Sequence, residues 1–333
     1  MIRVAIVGAT GYGGAEAVRL LAAHPGVEVV AATSSRLAGK PLRAECPWLD
    51  TDLVLSALNT DTLDADVVLL CQESGFAMEH APRLAERMRV IDLSADFRLL
   101  DPTTYAQWYG RDHTRPEVRG VYGLPELTGR GPIADAQIVA NPGCYPTATL
   151  LALVPLERAG LIEGVPVIDA KSGVSGAGRS KADTDFLLGE LEGNFKAYGV
   201  TGHRHTPEIE QGLGRMVRFT PHLLPFARGI HATCHVPLRA GAGRDDVMHA
   251  WTQAYADERF VRVREDGWPS TKEVRGTNAC VLAAAFDERT GHAVLVSVID
   301  NLGKGAAGQA VQNLNILFGL DEGAGLTSFG VWP

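Results

Sequence analysis

No apolar run in this 333-residue chain approaches the ~18 residues that a bilayer crossing needs. The opening residues, MIRVAIVG, lack the basic stretch and the apolar region of about 7–15 residues that mark a secretory signal, so a soluble, cytoplasmic protein is expected. Cysteine is scarce: five residues, at 46, 71, 144, 234 and 280, with no C-x-x-C. That excludes a disulfide scaffold and a thiolate zinc site, and it suits a reducing compartment with no metal. A basic excess is also missing. Lys and Arg number 31 against 39 Asp and Glu, for a net charge of −8, which excludes the footprint of a general nucleic-acid binder. Charged residues make up only 21% and hydrophobic residues 46%, so the chain is neither disordered nor a coiled coil. Its length exceeds one ordinary core and suits two domains. What is abundant is glycine, with 37 residues, well above the average of about 7%.

Short Val- and Ile-rich runs at 2–7, 27–33, 67–71, 90–93 and 138–140 predict strands. Between them lie helical patterns, with Ala15, Val18 and Ala22 on one stripe and an Ala/Leu/Glu/Arg-rich segment over 75–88. Strands alternating with helices imply βαβ units and a parallel sheet covered on both faces. The second half reads differently. Strand-like runs at 165–170, 229–236, 260–264, 281–286 and 293–299 have few helices between them; amphipathic helices are expected at 245–256 and 305–318. An α+β domain with a largely antiparallel sheet follows, with the boundary near residue 143.

Gly8-Ala9-Thr10-Gly11-Tyr12-Gly13-Gly14 lies between the first strand and the first helix. Glycines there let the backbone approach a pyrophosphate, and the helix N-terminus offers it free N–H groups and a positive dipole end. The spacing is G-x-x-G-x-x-G, a departure from the usual G-x-G-x-x-G. At the end of the second strand, the Asp or Glu that would hold a ribose 2′-hydroxyl is absent. Thr33-Ser34-Ser35-Arg36 stands there instead. Two hydroxyls and a guanidinium bind a 2′-phosphate, which a carboxylate would repel, so NADP(H) is expected over NAD(H).

Four cysteines read as small core hydrophobes. Cys144 differs: it sits in Asn141-Pro142-Gly143-Cys144-Tyr145-Pro146-Thr147, directly after a strand, with Pro146 placed as the first residue of a helix. A helix N-terminus stabilises a thiolate, and a nucleophilic cysteine beside a nicotinamide suggests acyl redox through a thioester. Such chemistry needs an acid/base group. His203 and His205, in Gly202-His203-Arg204-His205-Thr206-Pro207-Glu208, compete for that role; Thr206 is expected to cap a helix beginning at Pro207, with Glu208 in its first turn. The segment Lys171 to Arg179 reads as a loop suited to anions, and Arg98 follows another strand.

Together these segments resemble the N-acetyl-gamma-glutamyl-phosphate reductase family. The stretches are GATGYGG (8–14), TSSR (33–36), DLSADFRL (92–99), YGLPEL (122–127), ANPGCYPTA (140–148), KSGVSGAGR (171–179), GHRHTPEIEQ (202–211), STKEVRGTN (270–278) and DNLGKGAAGQAVQNLN (300–315), in order from end to end. The family is similar in plan to aspartate-semialdehyde dehydrogenases. The resemblance implies a Rossmann-like NADP-binding domain over 1–143 plus 301–333, to which the C-terminal helix returns. It implies a substrate and oligomerisation domain over 144–300, assembled as a homodimer or homotetramer. The implied reaction is NADPH-dependent reduction of N-acetyl-L-glutamyl 5-phosphate to the 5-semialdehyde, in arginine biosynthesis. Cys144 is then the nucleophile and His203 the first choice for acid/base, supported by Glu208, with His205 second. The expected cofactor contacts are Gly8, Thr10, Gly11, Tyr12, Gly13, Ser34, Ser35, Arg36, Ser74, Gly75, Ser172, Gly173, Asn301 and Lys304. The expected substrate contacts are Arg98, Asn141, Ser175 and Arg179. One departure stands out: where the family shows a segment like A-L-P-H-G, this chain has Cys71-Gln72-Glu73-Ser74-Gly75. Two other readings are a longer aminoadipyl acyl phosphate as substrate, in lysine biosynthesis, and a non-catalytic NADP sensor.

Overall fold

The apolar runs of the first half become β1 (Ile2–Val7), β2 (Val27–Thr33), β3 (Val67–Leu70), β4 (Arg89–Asp92), β5 (Val121–Tyr122) and β6 (Ile138–Ala140). This is seen in a computed structural model that describes residues 1–179, 188–327 and 330–331. Residues 180–187, 328–329 and 332–333, which fall within the expected domain limits, lie outside the described residues. The six strands pair in the order β2-β1-β3-β4-β6-β5, every pair parallel. Alternation sends the two faces of each strand into different cores. Val4, Ile6, Val67 and Leu69 pack with helices Tyr12–Ala22 and Gly308–Leu317; Ala5, Val7, Val68 and Leu70 pack with helix Phe76–Ala85. A sheet buried on both faces needs continuous apolar strands, and β3 is buried at all four positions.

The second sheet contains β7 (Val167–Gly173), β8 (Lys196–Ala197), β9 (Arg218–Leu224), β10 (Ile230–Pro237), β11 (Val261–Val263), β12 (Cys280–Asp287) and β13 (His292–Ile299). Its order is β11-β12-β13-β10-β7-β9-β8. Pairing is antiparallel except at β11/β12 and β7/β9, so the sheet is mixed but mainly antiparallel. In β10 the residues Ile230, Ala232, Cys234 and Val236 are buried, and the intervening ones are less so. Helix Cys144–Arg158 is buried from Tyr145 through Leu156. Helix Arg244–Tyr255 joins it through Trp251 Nε1, which donates to Ala152 O at 2.9 Å.

Several local expectations shift. β7 runs on to Gly173, so Lys171, Ser172 and Gly173 belong to a strand; a one-turn 3-10 helix follows at Val174–Ala177. The helix expected from Pro146 begins two residues earlier, at Cys144. Thr206 is the first residue of helix Thr206–Leu213, whose N-cap is His205 with no side-chain cap. β9 escaped the periodicity because Pro221 interrupts its pattern. The last helix starts at Gly308, after a π-turn over Gly303–Ala307.

The chain forms two units. Met1–Pro142, Gly178 and Arg179, and Ala306–Leu326 make the first; Gly143–Ala177, residues 188–305, 327, 330 and 331 belong to the second. Among the described residues, consecutive residues change unit at 142/143, 177/178, 305/306 and 326/327. Val331 N donates to Arg275 O at 2.9 Å, which ties the tail to the second unit. No helix among the described residues is long and apolar enough to cross a membrane.

Candidate active site

In the first unit the glycine loop joins β1 to helix Tyr12–Ala22. Gly8 has φ +88°, and a Cβ there would stand 2.5 Å from Cys71 O. A Cβ on Gly14 would collide with Gly8 O. These two glycines are demanded by the loop's own packing. Gly11 and Gly13 are not: a Cβ would meet only Gly8 O at 3.5 Å and Leu93 Cδ2 at 4.0 Å respectively. The helix has no side-chain cap at Gly11 and no acid in its first turn. Its positive end is thus left uncompensated by the protein and open above small residues, which fits an anionic dinucleotide. Thr10 and the largely exposed Tyr12 flank this space. Beyond β2, Ser34 is buried with its N–H on Ser56 O, while Ser35 and Arg36 are exposed.

Some expected contacts are already engaged. Gly75 has φ +102° and forms the N-cap of helix Phe76–Ala85; its N–H donates to Asp96 at 2.8 Å. Asp96, fully buried, also accepts from Met78 N and Tyr105 OH. Arg111 donates to Ser74 O. Arg179, expected at the substrate, donates to Thr10 O at 3.0 Å and pairs with Glu45, so it dresses the glycine loop. Arg98, expected at a phosphate, is buried; its Nε donates to Asn141 O and its Nη2 to Leu93 O, both at 2.7 Å.

In the second unit Cys144 is the first residue of its helix and is partly exposed. Gly143 caps that helix without a side-chain bond, and Gly143 N–H donates to Glu208 Oε1 at 2.8 Å. Glu208 is 1% exposed, so its placement bears on the cysteine's own turn. The Tyr145 ring packs against His203, His205 and Phe219 at 5.4, 5.9 and 5.2 Å between centroids. Tyr145 OH meets Tyr198 OH at 3.0 Å, and Tyr198 packs on His203 at 5.5 Å. Both phenols lie within electrostatic reach of Cys144, and burial, first of all, pushes Tyr198 up to about 12. The structure therefore gathers Cys144, Tyr145, Tyr198, His203 and His205 into one cluster. Burial, then the charge of Arg204, lowers His203 to about 4. Its Nδ1 accepts His205 N–H at 3.0 Å. The neutral ring therefore carries its proton on Nε2, as a hydrogen-bond donor.

Five further expected residues, Ser172, Gly173, Ser175, Asn301 and Lys304, lie in or after the strands of the second unit. Ser172 Oγ donates to Gly173 O, and Gly173 packs so closely on Ala227 and Arg228 that a Cβ would stand 2.8 Å from their backbone. Ser175 Oγ accepts from Asn301 Nδ2 at 2.8 Å, and Asn301 Oδ1 accepts Gly229 N–H at 2.7 Å. Lys304 is fully buried with Nζ 5.6 Å from the Phe260 ring centre. Asn301 and Lys304 thus both have partners inside the second unit. Sequence reasoning missed the aromatic pair Tyr145 and Tyr198. It also missed the buried Asp300, which accepts from Arg228 Nε, Gly276 N, Leu302 N and Gly303 N. No periodicity flags either one. The remaining cysteines behave as packing residues: Cys46, Cys234 and Cys280 are buried, and burial pushes Cys71 and Cys234 up to about 12.

Comparison with known proteins gives consistent matches. Residues 3–136 match the semialdehyde dehydrogenase NAD binding domain, and 144–301 the semialdehyde dehydrogenase dimerisation domain. An N-acetyl-gamma-glutamyl-phosphate reductase of Desulforudis audaxviator is 49% identical over the whole of both chains. The like-named protein of Symbiobacterium thermophilum is 50% identical over 100% of this chain and 99% of its own. Among solved structures, aspartate semialdehyde dehydrogenase II of Vibrio cholerae, complexed with ASA, has a TM-score of 0.71 at 21% identity, covering 96% of this chain and 98% of that one. Aspartate semialdehyde dehydrogenase with NADP from Candida albicans gives 0.67 at 16%, covering 96% and 98%. At such identities these two structures speak for the fold.

Proposed function

The chain belongs to the N-acetyl-gamma-glutamyl-phosphate reductase family of semialdehyde dehydrogenases, and we propose that it carries out that family's reaction with Cys144 as the nucleophile. It reduces N-acetyl-L-glutamyl 5-phosphate to N-acetyl-L-glutamate 5-semialdehyde and phosphate with NADPH, a step of arginine biosynthesis. The relatives lend no support to the longer-substrate or sensor readings. The observation that carries the chemical assignment is Cys144 at the start of an uncapped helix, in the cluster that holds a neutral His203.

The loop Gly8–Gly14 and the N-terminus of its helix hold the pyrophosphate, with Arg36 and the Ser34–Ser35 hydroxyls toward the 2′-phosphate. When bound, NADPH supplies a hydride. The helix N-terminus favours the thiolate form of Cys144. The sulfur attacks the acyl carbon, the C–O bond to phosphate breaks, and phosphate leaves with both electrons of that bond. The substrate stays on Cys144 as a thioester. Reduction of the thioester leaves an oxyanion on the former carbonyl carbon, and the Nε2–H of His203 is the donor that stabilises it. Collapse expels the Cys144 thiolate and releases the aldehyde. Ser175 stands on the substrate side of this assignment, and His205 is the second acid/base candidate. We place the enzyme as a homodimer or homotetramer, supported by the match to a dimerisation domain.

The test uses the reverse reaction, with semialdehyde, phosphate and NADP⁺. Cys144→Ser should lose turnover while still binding NADPH, and iodoacetamide should label Cys144 far faster than the other four cysteines near pH 7. Rapid turnover by Cys144→Ser sinks the nucleophile assignment. A higher kcat/KM for the one-carbon-longer semialdehyde sinks the substrate assignment.

A further inference from the structure

Asn141 stands in the sequence as a substrate contact, yet it is 1% exposed and each of its polar groups is engaged within the first unit. Its N–H donates to Asp92 O at 2.8 Å. Its carbonyl accepts from Arg98 Nε at 2.7 Å. Its Oδ1 accepts from Asn313 Nδ2 at 3.1 Å, and its own Nδ2 donates to Ala306 O at 3.1 Å. Asn313, fully buried on the returning helix, also donates to Gly123 O at 2.9 Å. Each polar group of Asn141, main chain and side chain, thus has a partner inside the first unit, as a buried amide requires. What this network fixes is the distance between two chain points, Asn141 and Ala306.

Both points lead by short paths to the cysteine. From Asn141 the chain passes through Pro142, whose ring locks φ and restricts Asn141 before it. It then passes Gly143, whose N–H is held by Glu208, and reaches Cys144. From Ala306 it steps back one residue to Gly305. Gly305 N donates to Asp300 O at 2.9 Å, and a Cβ at Gly305 would stand 2.8 Å from Cys144 Cβ. The chain joins 141 to 144 and 306 to 305 over at most three residues, and 144 meets 305 within the second unit.

We propose that Asn141, clamped by Asn313 and Arg98, is a positioning residue that sets where the Cys144 sulfur stands. This rests on Cys144 being the nucleophile. Misplacing a reacting group by about 1 Å costs on the order of 10²-fold in rate, and the clamp is the device that prevents such a shift.

The experiment compares Asn141→Ser and Asn313→Ser with the parent enzyme, full length and assayed with semialdehyde, phosphate and NADP⁺. The expected result is a kcat lower by about 10- to 100-fold with KM for the semialdehyde within about threefold. The midpoint of the pH profile for iodoacetamide labelling of Cys144 should also move. A raised KM with kcat intact makes Asn141 a substrate ligand and overturns the proposal. A lowered kcat with the labelling profile unmoved overturns it too, since the defect then lies away from the sulfur. If Asn141→Ser does not fold, Asn313→Ser loosens the same tie from the other side and is read by the same criteria. Cys144→Ser separates the two levels: if it retains turnover, the nucleophile assignment itself fails. If it is dead while both Asn variants match the parent, only the clamp fails.

Discussion

Asp92 shows how one residue can be read at two depths. In the sequence it is merely the first letter of DLSADFRL. In the structure it is fully buried at the end of β4, and burial, followed by the like charge of Asp96, pushes it up to about 7, against the hydrogen bonds from Ser94. An unfolded Asp titrates near 3.9. Between those values the folded state keeps a proton that the unfolded state gives up, so this group's contribution to stability is full below about pH 4. It is lost as pH rises toward 7. The slope is at most about 1.4 kcal/mol per pH unit. Asp92→Asn should remove that slope: compared with the parent, its urea midpoint should improve steadily from pH 5 to pH 7. Parallel pH dependences for the two proteins would contradict the buried, proton-holding carboxyl. His203 follows the same logic in the other direction. Its lowering to about 4 leaves the ring neutral across the working range, so an acid limb of activity near 6.5 is not expected from it.

At the level of elements, the returning helix Gly308–Leu317 carries more than its apolar stripe predicts. Ala310, Leu314 and Leu317 were legible as a packing face, and they join the core formed by Val4, Ile6 and Val18. The opposite faces are buried as well, and they are polar. Gln312 donates to Glu126 and Glu322, Asn315 Oδ1 meets His24 Nε2, and Asn313 holds Asn141. A buried polar side chain is tolerated only with its partners in place, and those partners come from positions up to 291 residues away, which no local pattern can show. Leu314→Ala should cost about 2–5 kcal/mol, as a fully buried leucine does, read as a lower urea midpoint at unchanged slope. A loss below about 1 kcal/mol would place Leu314 outside the core.

For the whole molecule the charge poses the problem: a chain of net −8 binds a highly anionic cofactor and an acyl phosphate. In the function proposed above, binding comes from local geometry, chiefly the helix end at Gly11, which has no side-chain cap, and the exposed Arg36. NADPH at about 100 times its Kd should stabilise the fold by about 2.7 kcal/mol, seen as a raised Tm. NADH at equal concentration should raise it less, and Arg36→Ala should narrow that difference. Equal shifts from both coenzymes in the parent enzyme would remove the 2′-phosphate from Arg36. The sequence by itself determined the parallel first sheet, the mainly antiparallel second one, the glycine loop, the family and Cys144 as the residue to watch. Each of these is written in local periodicity or in an uninterrupted motif. Only the tertiary structure decided what Arg98, Arg179, Asn141, Asn301 and Lys304 touch within the protein. The sequence shows their chemistry but not their partners. Folding supplied those partners, backbone carbonyls, amides and an aromatic ring, from distant segments.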